Sequence, residues 1–282
     1  MRSVGGREGY IGQSGARDAD LPCPLVLVLA ARARPYPALV RTSKQTWASS
    51  SVAGIDTLFF FGGHELRLRG QELTLPVPDD LAHVGHKTLA CFEYAHSAYA
   101  PTVVFRTNCS SYVDLPNLSA FVRDRVRAKQ FYGGKISVHE GIRFASGSGY
   151  FLSRDLVDLV LAQRDAWDHS LPDDVALADL LRRHGVTPED ITRQDVTGFA
   201  GVDALDLSQF HFRCKSPIAG SRDDDRLVML ALHRAFCRSR GASATTRARI
   251  QARIALTRVE RSLSWRMRQR FPTSPLTRWL CR

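Results

Sequence analysis

The chain has 282 residues, 44% of them hydrophobic, which suits one large folded domain with a tail better than two equal domains. Its longest apolar run, Leu21 to Ala31, is broken by Cys23 and Pro24 and is too short for a membrane span or an ordinary signal peptide. Of the formal charge of +11, the segment Gly241 to Arg282 carries +9, from ten arginines and one glutamate, so the basicity belongs to the tail and does not mark the body as a nucleic-acid binder.

Met1 to Asp20, rich in Gly, Arg and Ser without apolar periodicity, reads as a mobile leader. "LVLVLA", Leu25 to Ala30, then predicts a strand covered on both faces, as in a mostly parallel sheet. A second strand over "IDTLFFFGG" has the apolar run Leu58 to Phe61 and ends at a glycine pair, and "TVVFR", Thr102 to Arg106, is a third. Between them Asp79 or Asp80 is placed to cap a helix carrying Leu81, Val84, Thr88, Cys91 and Ala95 at spacings of three and four. Asp114 and Pro116 open another, with Leu118, Phe121, Val122 and Val126 on one face. The predicted order is strand, strand, helix, strand, helix.

"YGGKISV" and "GIRFASGSGYFLS" are strand material punctuated by Gly and Ser, and "FGG" at Phe61 and "YGG" at Tyr132 read as turns. Ser153 caps a helix to about Gln163, and "LPDDVALADLLRRHG" is a further helix with Asp173 and Asp174 in its first turn and Gly185 at its end. Strands and helices at this spacing predict an α/β sandwich over residues 21–240. The tail, 241–282, places Ala248, Ala252, Leu256, Val259, Leu263 and Met267 on one helical stripe among arginines. Such a basic amphipathic helix suits an anionic membrane surface, or packing on its own domain or a partner with a solvated basic face. Trp265, Phe271 and Trp279 add aromatics of the kind found at interfaces. The six cysteines form no CxxC pair, which argues against a zinc site or a dense disulfide framework and suits reduced thiols in the cytoplasm.

Residues 105–115, "FRTNCSSYVDL", break from a buried strand into small polar residues at the carboxyl end of that strand, where ligands sit in open α/β sheets. By themselves Asn108 to Ser111 are equally a polar turn. Asp173 and Asp174 are explained as well by a helix N-terminus, which favours acidic side chains. His211, Arg213, Lys215 and Arg222 in "FHFRCKSPIAGSRDDDR" form a donor cluster suited to a diphosphate, or a solvated edge; His211 is open to metal ligation or to an ordinary hydrogen bond.

The ordered stretches "ALVRTSKQTWAS", "GHKTLACFEYA", "VVFRTNCSSYVDLPNL", "FASGSGYFLSRDLV" and "LPDDVALADLL", covering Leu25 to His184, resemble the β-1,3-galactosyltransferase and Fringe group of glycosyltransferases. The resemblance implies a GT-A-like, Rossmann-type nucleotide-sugar fold, with a mainly parallel mixed sheet flanked by helices; the basic C-terminal helix would follow it. It further implies an inverting transfer of a hexose or N-acetylhexosamine from a nucleotide diphosphate sugar, usually a uridine diphosphate sugar, to a glycan or lipid-linked acceptor. By position Lys44 and Trp47 match the family's basic-x-Thr-Trp segment and Lys87 its Lys-Thr helix. Gly147, Gly149 and Tyr150 match its glycine turn beside the donor sugar. Asp174 matches the presumed base, with Asp173 beside it.

The family's Asp-x-Asp segment is replaced by Asn108, Cys109 and Ser110. An amide, a thiol and a hydroxyl make a poor ligand set for Mg²⁺ or Mn²⁺, so no metal is expected. Asn108, Ser110 and Ser111 are left to hydrogen-bond ribose or sugar hydroxyls, and His211, Arg213 and Lys215 to meet the diphosphate. The expected setting is the cytoplasm, with the tail either at the inner face of the membrane or packed on its own domain or a partner, and with no nucleic acid partner. The alternative is a transferase-like module that lost catalysis with its carboxylates and only binds glycan or protein.

Overall fold

The computed structural model describes residues 24–125, 128–216 and 222–270. The expected leader, Val126, Phe271 and Trp279, and the side chains of Trp265 and Met267, lie outside the described residues.

β1 (Pro24–Leu29) is apolar at every position because both of its faces are covered. It pairs in parallel with β2 (Asp56–Gly62) on one side and with β5 (Val103–Asn108) on the other, which brings together the three strands that the sequence predicts. Beyond β2 lies a hairpin of β3 (Arg67–Arg69) and β4 (Glu72–Leu75), turning at Gly70 with φ of 55°, and β4 is parallel to β2. Beyond β5 lie β8 (Ile142–Ser153) and β7 (Tyr132–His139), an antiparallel hairpin, and then the two-residue β9 (Glu189–Asp190). The sheet order is β3-β4-β2-β1-β5-β8-β7-β9. A small second sheet joins β6 (Ser111–Val113), β11 (His211–Cys214) and β10 (Gln194–Val196).

Alternation along β1 sends Leu25 and Leu27 to one core and Val26 and Val28 to the other. The first core is closed by α2 (Val84–Tyr99), α4 (Arg154–Ala162) and α5 (Asp173–Arg183). The second is closed by α1 (Tyr36–Gln45), α3 (Leu115–Arg123), α6 (Asp223–Ser239) and the small sheet. The fold is the predicted α/β sandwich around a mainly parallel mixed sheet flanked by helices. Cys91, Cys109, Cys214 and Cys237 are free thiols. Among the described residues no helix is long and apolar enough to cross a membrane.

Several local expectations are corrected. The sequence reading passed over α1, which carries Pro37 in its first turn, and the β3–β4 hairpin, so the true order begins strand, helix, strand, hairpin, helix. α2 starts at Val84 rather than at the aspartates: Asp80 accepts the His83 N–H at 3.0 Å, and Leu81, assigned to the apolar face, is 88% exposed. The glycines at 147 and 149 do not form a turn; they lie within β8, as "YGG" lies within β7. Asp114 does cap α3, accepting from the Asn117 N–H at 3.1 Å.

The tail forms α7 (Ala244–Arg270) after a turn at Gly241. It packs on α6 through Ile250 and Ile254 against Leu227 and Leu230. Ion pairs from Arg226 to Glu260 at 2.9 Å and from Arg261 to Asp224 at 3.0 Å set its rotation. The predicted stripe is therefore not the packed one: Ala248, Ala252, Leu256, Val259 and Leu263 are exposed.

Candidate active site

β1 and β5 end side by side at Leu29 and Asn108, and a cleft opens beyond their carboxyl ends, the usual ligand position in such a sheet. It has two chambers of about 270 and 530 Å³ that share Leu29, Leu81, Val84, Asn108 and Arg213. The larger holds Asp173, Asp174, Arg106, Gly147 and Ser148, and the smaller holds Lys87, Asp79, Ser110, Lys215 and Arg222.

The acidic wall is built on α5, whose first turn places Asp173 and Asp174 where the helix dipole favours carboxylates. Asp173 accepts from Arg106 Nη2 at 2.5 Å and from Thr88 Oγ1 at 3.1 Å. Arg106 comes from the interior of β5, is 1% exposed, and also donates through Nη1 to the Gly147 carbonyl. Asp174 Oδ2 in turn accepts the Gly147 N–H at 2.6 Å, so one glycine of β8 is held by both groups. A Cβ at residue 147 would lie 2.9 Å from both the Arg106 guanidinium and the Asp174 carboxylate, so any larger residue would displace one of these groups. Burial, and next the charge of Asp173, raise the Asp174 pKa above its ordinary value, against the pull of the Gly147 N–H and Arg106. Asp174 is thus a carboxylate of increased basicity facing the larger chamber.

The smaller chamber carries cations. Lys87 is buried and satisfied, donating to Asp79 Oδ1 at 2.9 Å, and Arg222 is paired with Asp225 at 2.8 Å. Burial would raise the Asp79 pKa, but the Arg32 N–H, Lys87 and the Gly62 N–H together hold it below the usual value. Arg213 and Lys215 differ: among the described residues neither has a carboxylate within ion-pair distance, and Arg213 Nε is buried without a partner. Burial and then Arg193 lower the Arg213 pKa, and burial followed by Arg213 and Arg222 lowers that of Lys215. Positive charge is concentrated there and only partly neutralised by Asp79, Asp80 and Asp225.

In the Asn108–Cys109–Ser110 segment, Asn108 ends β5 of the large sheet and Cys109 and Ser110 make the two-residue crossing to β6 of the small one. Asn108 Oδ1 accepts the Ser110 N–H at 3.0 Å, and Cys109 is buried, its thiol pushed up to about 12 by desolvation. A protonated thiol and an amide oxygen already in use do not fit a hard divalent cation. Among the described residues no group of three or more His, Cys, Asp or Glu is arranged to hold a metal.

Of the residues singled out by sequence, Lys87, Asn108, Ser110, Gly147, Asp173, Asp174, Arg213 and Lys215 line the cleft. Four others do not. Ser111 is fully buried and donates to the Ser148 carbonyl at 3.0 Å, so it braces the cleft wall from behind and has no free hydroxyl to offer a sugar. His211 Nε2 lies 3.2 Å from Ser111 Oγ, and burial, then Arg193, depress its pKa to about 3; it is a neutral packing group, neither a cation for phosphate nor a ligand. Gly149 serves that packing, because a Cβ there would run into the His211 ring. Lys44 pairs with Glu72 at 2.9 Å in a separate surface groove between α1 and the β4 edge.

Sequence reasoning missed Arg106, Asp79 and Arg193. Arg106 had a signal, a lone charge within the buried run "VVFR". Arg193, which donates to Ser148 Oγ and to Asp195 at 2.7 Å, had none, since its partner in β8 is 45 residues away.

No protein-family model matches the chain, and no curated protein matches it. Among solved structures, it is similar to a glycosyltransferase involved in the glycosylation of the major capsid of PBCV-1, with a TM-score of 0.49 and 11% identity over 74% of this chain and 98% of that one. It is also similar to the glycosyltransferase GlyE of Streptococcus pneumoniae TIGR4, with a TM-score of 0.36 and 9% identity over 72% of this chain and 55% of that one. Scores below 0.5 do not establish a shared fold, so the functional reading has to come from the chemistry of the cleft.

Proposed function

We propose that the chain is an inverting glycosyltransferase of GT-A-like fold. It would move a hexose or N-acetylhexosamine from a nucleotide diphosphate sugar, most simply a uridine diphosphate sugar, to a glycan or lipid-linked acceptor without a divalent cation. The observation that carries this reading is the juxtaposition, in one cleft, of a carboxylate of raised pKa with two cations that lack carboxylate partners.

In this reading the diphosphate lies against Arg213 and Lys215, with the sugar toward the larger chamber beside Asn108 and Gly147. The acceptor hydroxyl loses its proton to Asp174 while its oxygen bonds to the anomeric carbon. The bond from that carbon to the diphosphate oxygen breaks on the opposite face, and the electron pair leaves with the diphosphate. The fixed cations then meet the charge that develops on the leaving group, the part a bound metal plays elsewhere. Arg106 and Asp173 touch no reacting atom; Asp173 fixes Arg106, which holds Gly147 and through it Asp174.

A second reading, a binding module without catalysis, is favoured by one observation. Both Asp174 oxygens already accept backbone N–H groups, from Gly147 at 2.6 Å and from Val175 at 3.1 Å, as a purely structural cap would. Incubation of the protein in EDTA with nucleotide sugars and candidate acceptors, reading released nucleoside diphosphate, separates the two. Release that Asp174→Asn abolishes supports transfer; donor binding with no release from any sugar supports the module.

A further inference from the structure

α7 buries one face and leaves a second apolar face in solvent. Ile250, Ile254 and Thr257 are buried against α6, whereas Leu256, Val259 and Leu263 are 60%, 55% and 56% exposed. With Ala248, Ala252 and Ala255, also exposed, they form a stripe at spacings of three and four, about 22 Å long at 1.5 Å per residue. A helix that only packs on its own domain carries polar residues on its outer face, so this stripe needs a separate explanation.

The charge beside it indicates what covers it. Between Ala244 and Arg270 there are eight arginines and one glutamate, and that glutamate is committed to Arg226. Arg261 is taken by Asp224, Arg253 by the Gln45 carbonyl, Arg247 by the Ala242 carbonyl and Arg258 by the Phe199 ring. Arg249 beside the stripe and Arg266 just past Leu263 are exposed and have no acidic partner among the described residues. Two such helices laid face to face would bring like charges together, which disfavours a second copy. A nucleic acid would use the arginines but leave the leucine and valine side chains without a role.

We infer that α7 lies in the plane of an anionic lipid bilayer, with Leu256, Val259 and Leu263 among the acyl chains and Arg249 and Arg266 at the headgroups. Binding then depends on apolar area and on lipid charge together. This is independent of what the cleft does.

The test is co-sedimentation of the full chain with vesicles of phosphatidylcholine and phosphatidylserine, and with phosphatidylcholine alone. The inference predicts binding to the mixed vesicles and at least tenfold weaker binding to the neutral ones. Leu256→Asp with Leu263→Asp, and separately Arg249→Glu with Arg266→Glu, should each weaken binding about tenfold or more while leaving the melting temperature near wild type, because all four side chains are exposed. No binding to the mixed vesicles, equal binding to both, or binding untouched by the Asp pair would overturn it. So would a dimer in sedimentation velocity that the Asp pair dissolves, which would make a second copy the occupant.

Discussion

The acidic and cationic walls of the cleft draw on similar residues but leave them in different states. In the acidic wall, Arg106 is buried and both of its terminal nitrogens are engaged, with Asp173 and with the Gly147 carbonyl. In the cationic wall, Lys87 and Arg222 are paired, but Arg213 and Lys215 stand beside them with pKa values lowered by burial and neighbouring positive charge. A charge-paired network fixes geometry, even though Arg106 Nε, like Arg213 Nε, is buried without a partner, whereas an unpaired one gains by taking up an anion. Within the acidic wall the same contrast recurs at smaller scale: Asp173 is paired with Arg106, whereas Asp174 forms no ion pair among the described residues and is made harder to ionise by burial and then by the charge of Asp173.

The sharpest way to break this comparison is Asp174→Asn. If Asp174 is the base, the change should lower transfer by roughly a hundredfold to ten-thousandfold in a steady-state assay and leave donor affinity intact. Its raised pKa means that the folded state disfavours the ionised form, so that protonation favours folding and the cost appears as pH rises through the folded-state value. Asp174→Asn should therefore melt no lower than wild type at neutral pH, and the acid limb of the wild-type rate profile should lie above the ordinary aspartate value of 3.8.

Next in size is Arg106→Met. It leaves Asp173 without its charge partner in a largely buried setting and should cost about 3 to 5 kcal/mol in urea denaturation. A loss within 1 kcal/mol of zero would show that the acidic wall is not the rigid element described here.

Arg213→Ala follows. Removing a charge-assisted phosphate contact should weaken donor binding by roughly 1.5 to 3 kcal/mol, read by titration calorimetry, with little change in stability. The smallest effect belongs to Lys44→Ala. Its pair with Glu72 is about a third exposed and lies outside the cleft, so donor affinity should not change, and stability should fall by at most about 1 kcal/mol.

The central strands were legible because a strand covered on both faces must be apolar throughout, and "LVLVLA" and "TVVFR" are short and bounded. α1 was not, since "RPYPALVRTSKQ" puts prolines where a helix starts and only Leu39 and Val40 supply large buried aliphatics. β4 buries only Leu73 and Leu75, too few to signal a strand. In the site, local chemistry such as paired aspartates at a helix start could be read directly. What could not be read was what each group touches: Ser111 and His211 look like ligand donors until β6, β8 and β11 pack them against each other. In α7 the periodicity holds two stripes, and the packing of Ile250 and Ile254 on α6, together with the ion pairs to that helix, decides which one turns inward.

The claim on which the rest depends is that fixed cations, without a divalent ion, hold the leaving diphosphate. Titration of uridine diphosphate into the protein in EDTA, repeated with Mn²⁺ in excess over the chelator, tests it directly. Binding is expected in both, with affinities within about threefold and a loss of tenfold or more in Arg213→Ala under either condition. Binding that appears only with Mn²⁺, or that Arg213→Ala leaves unchanged, would contradict it.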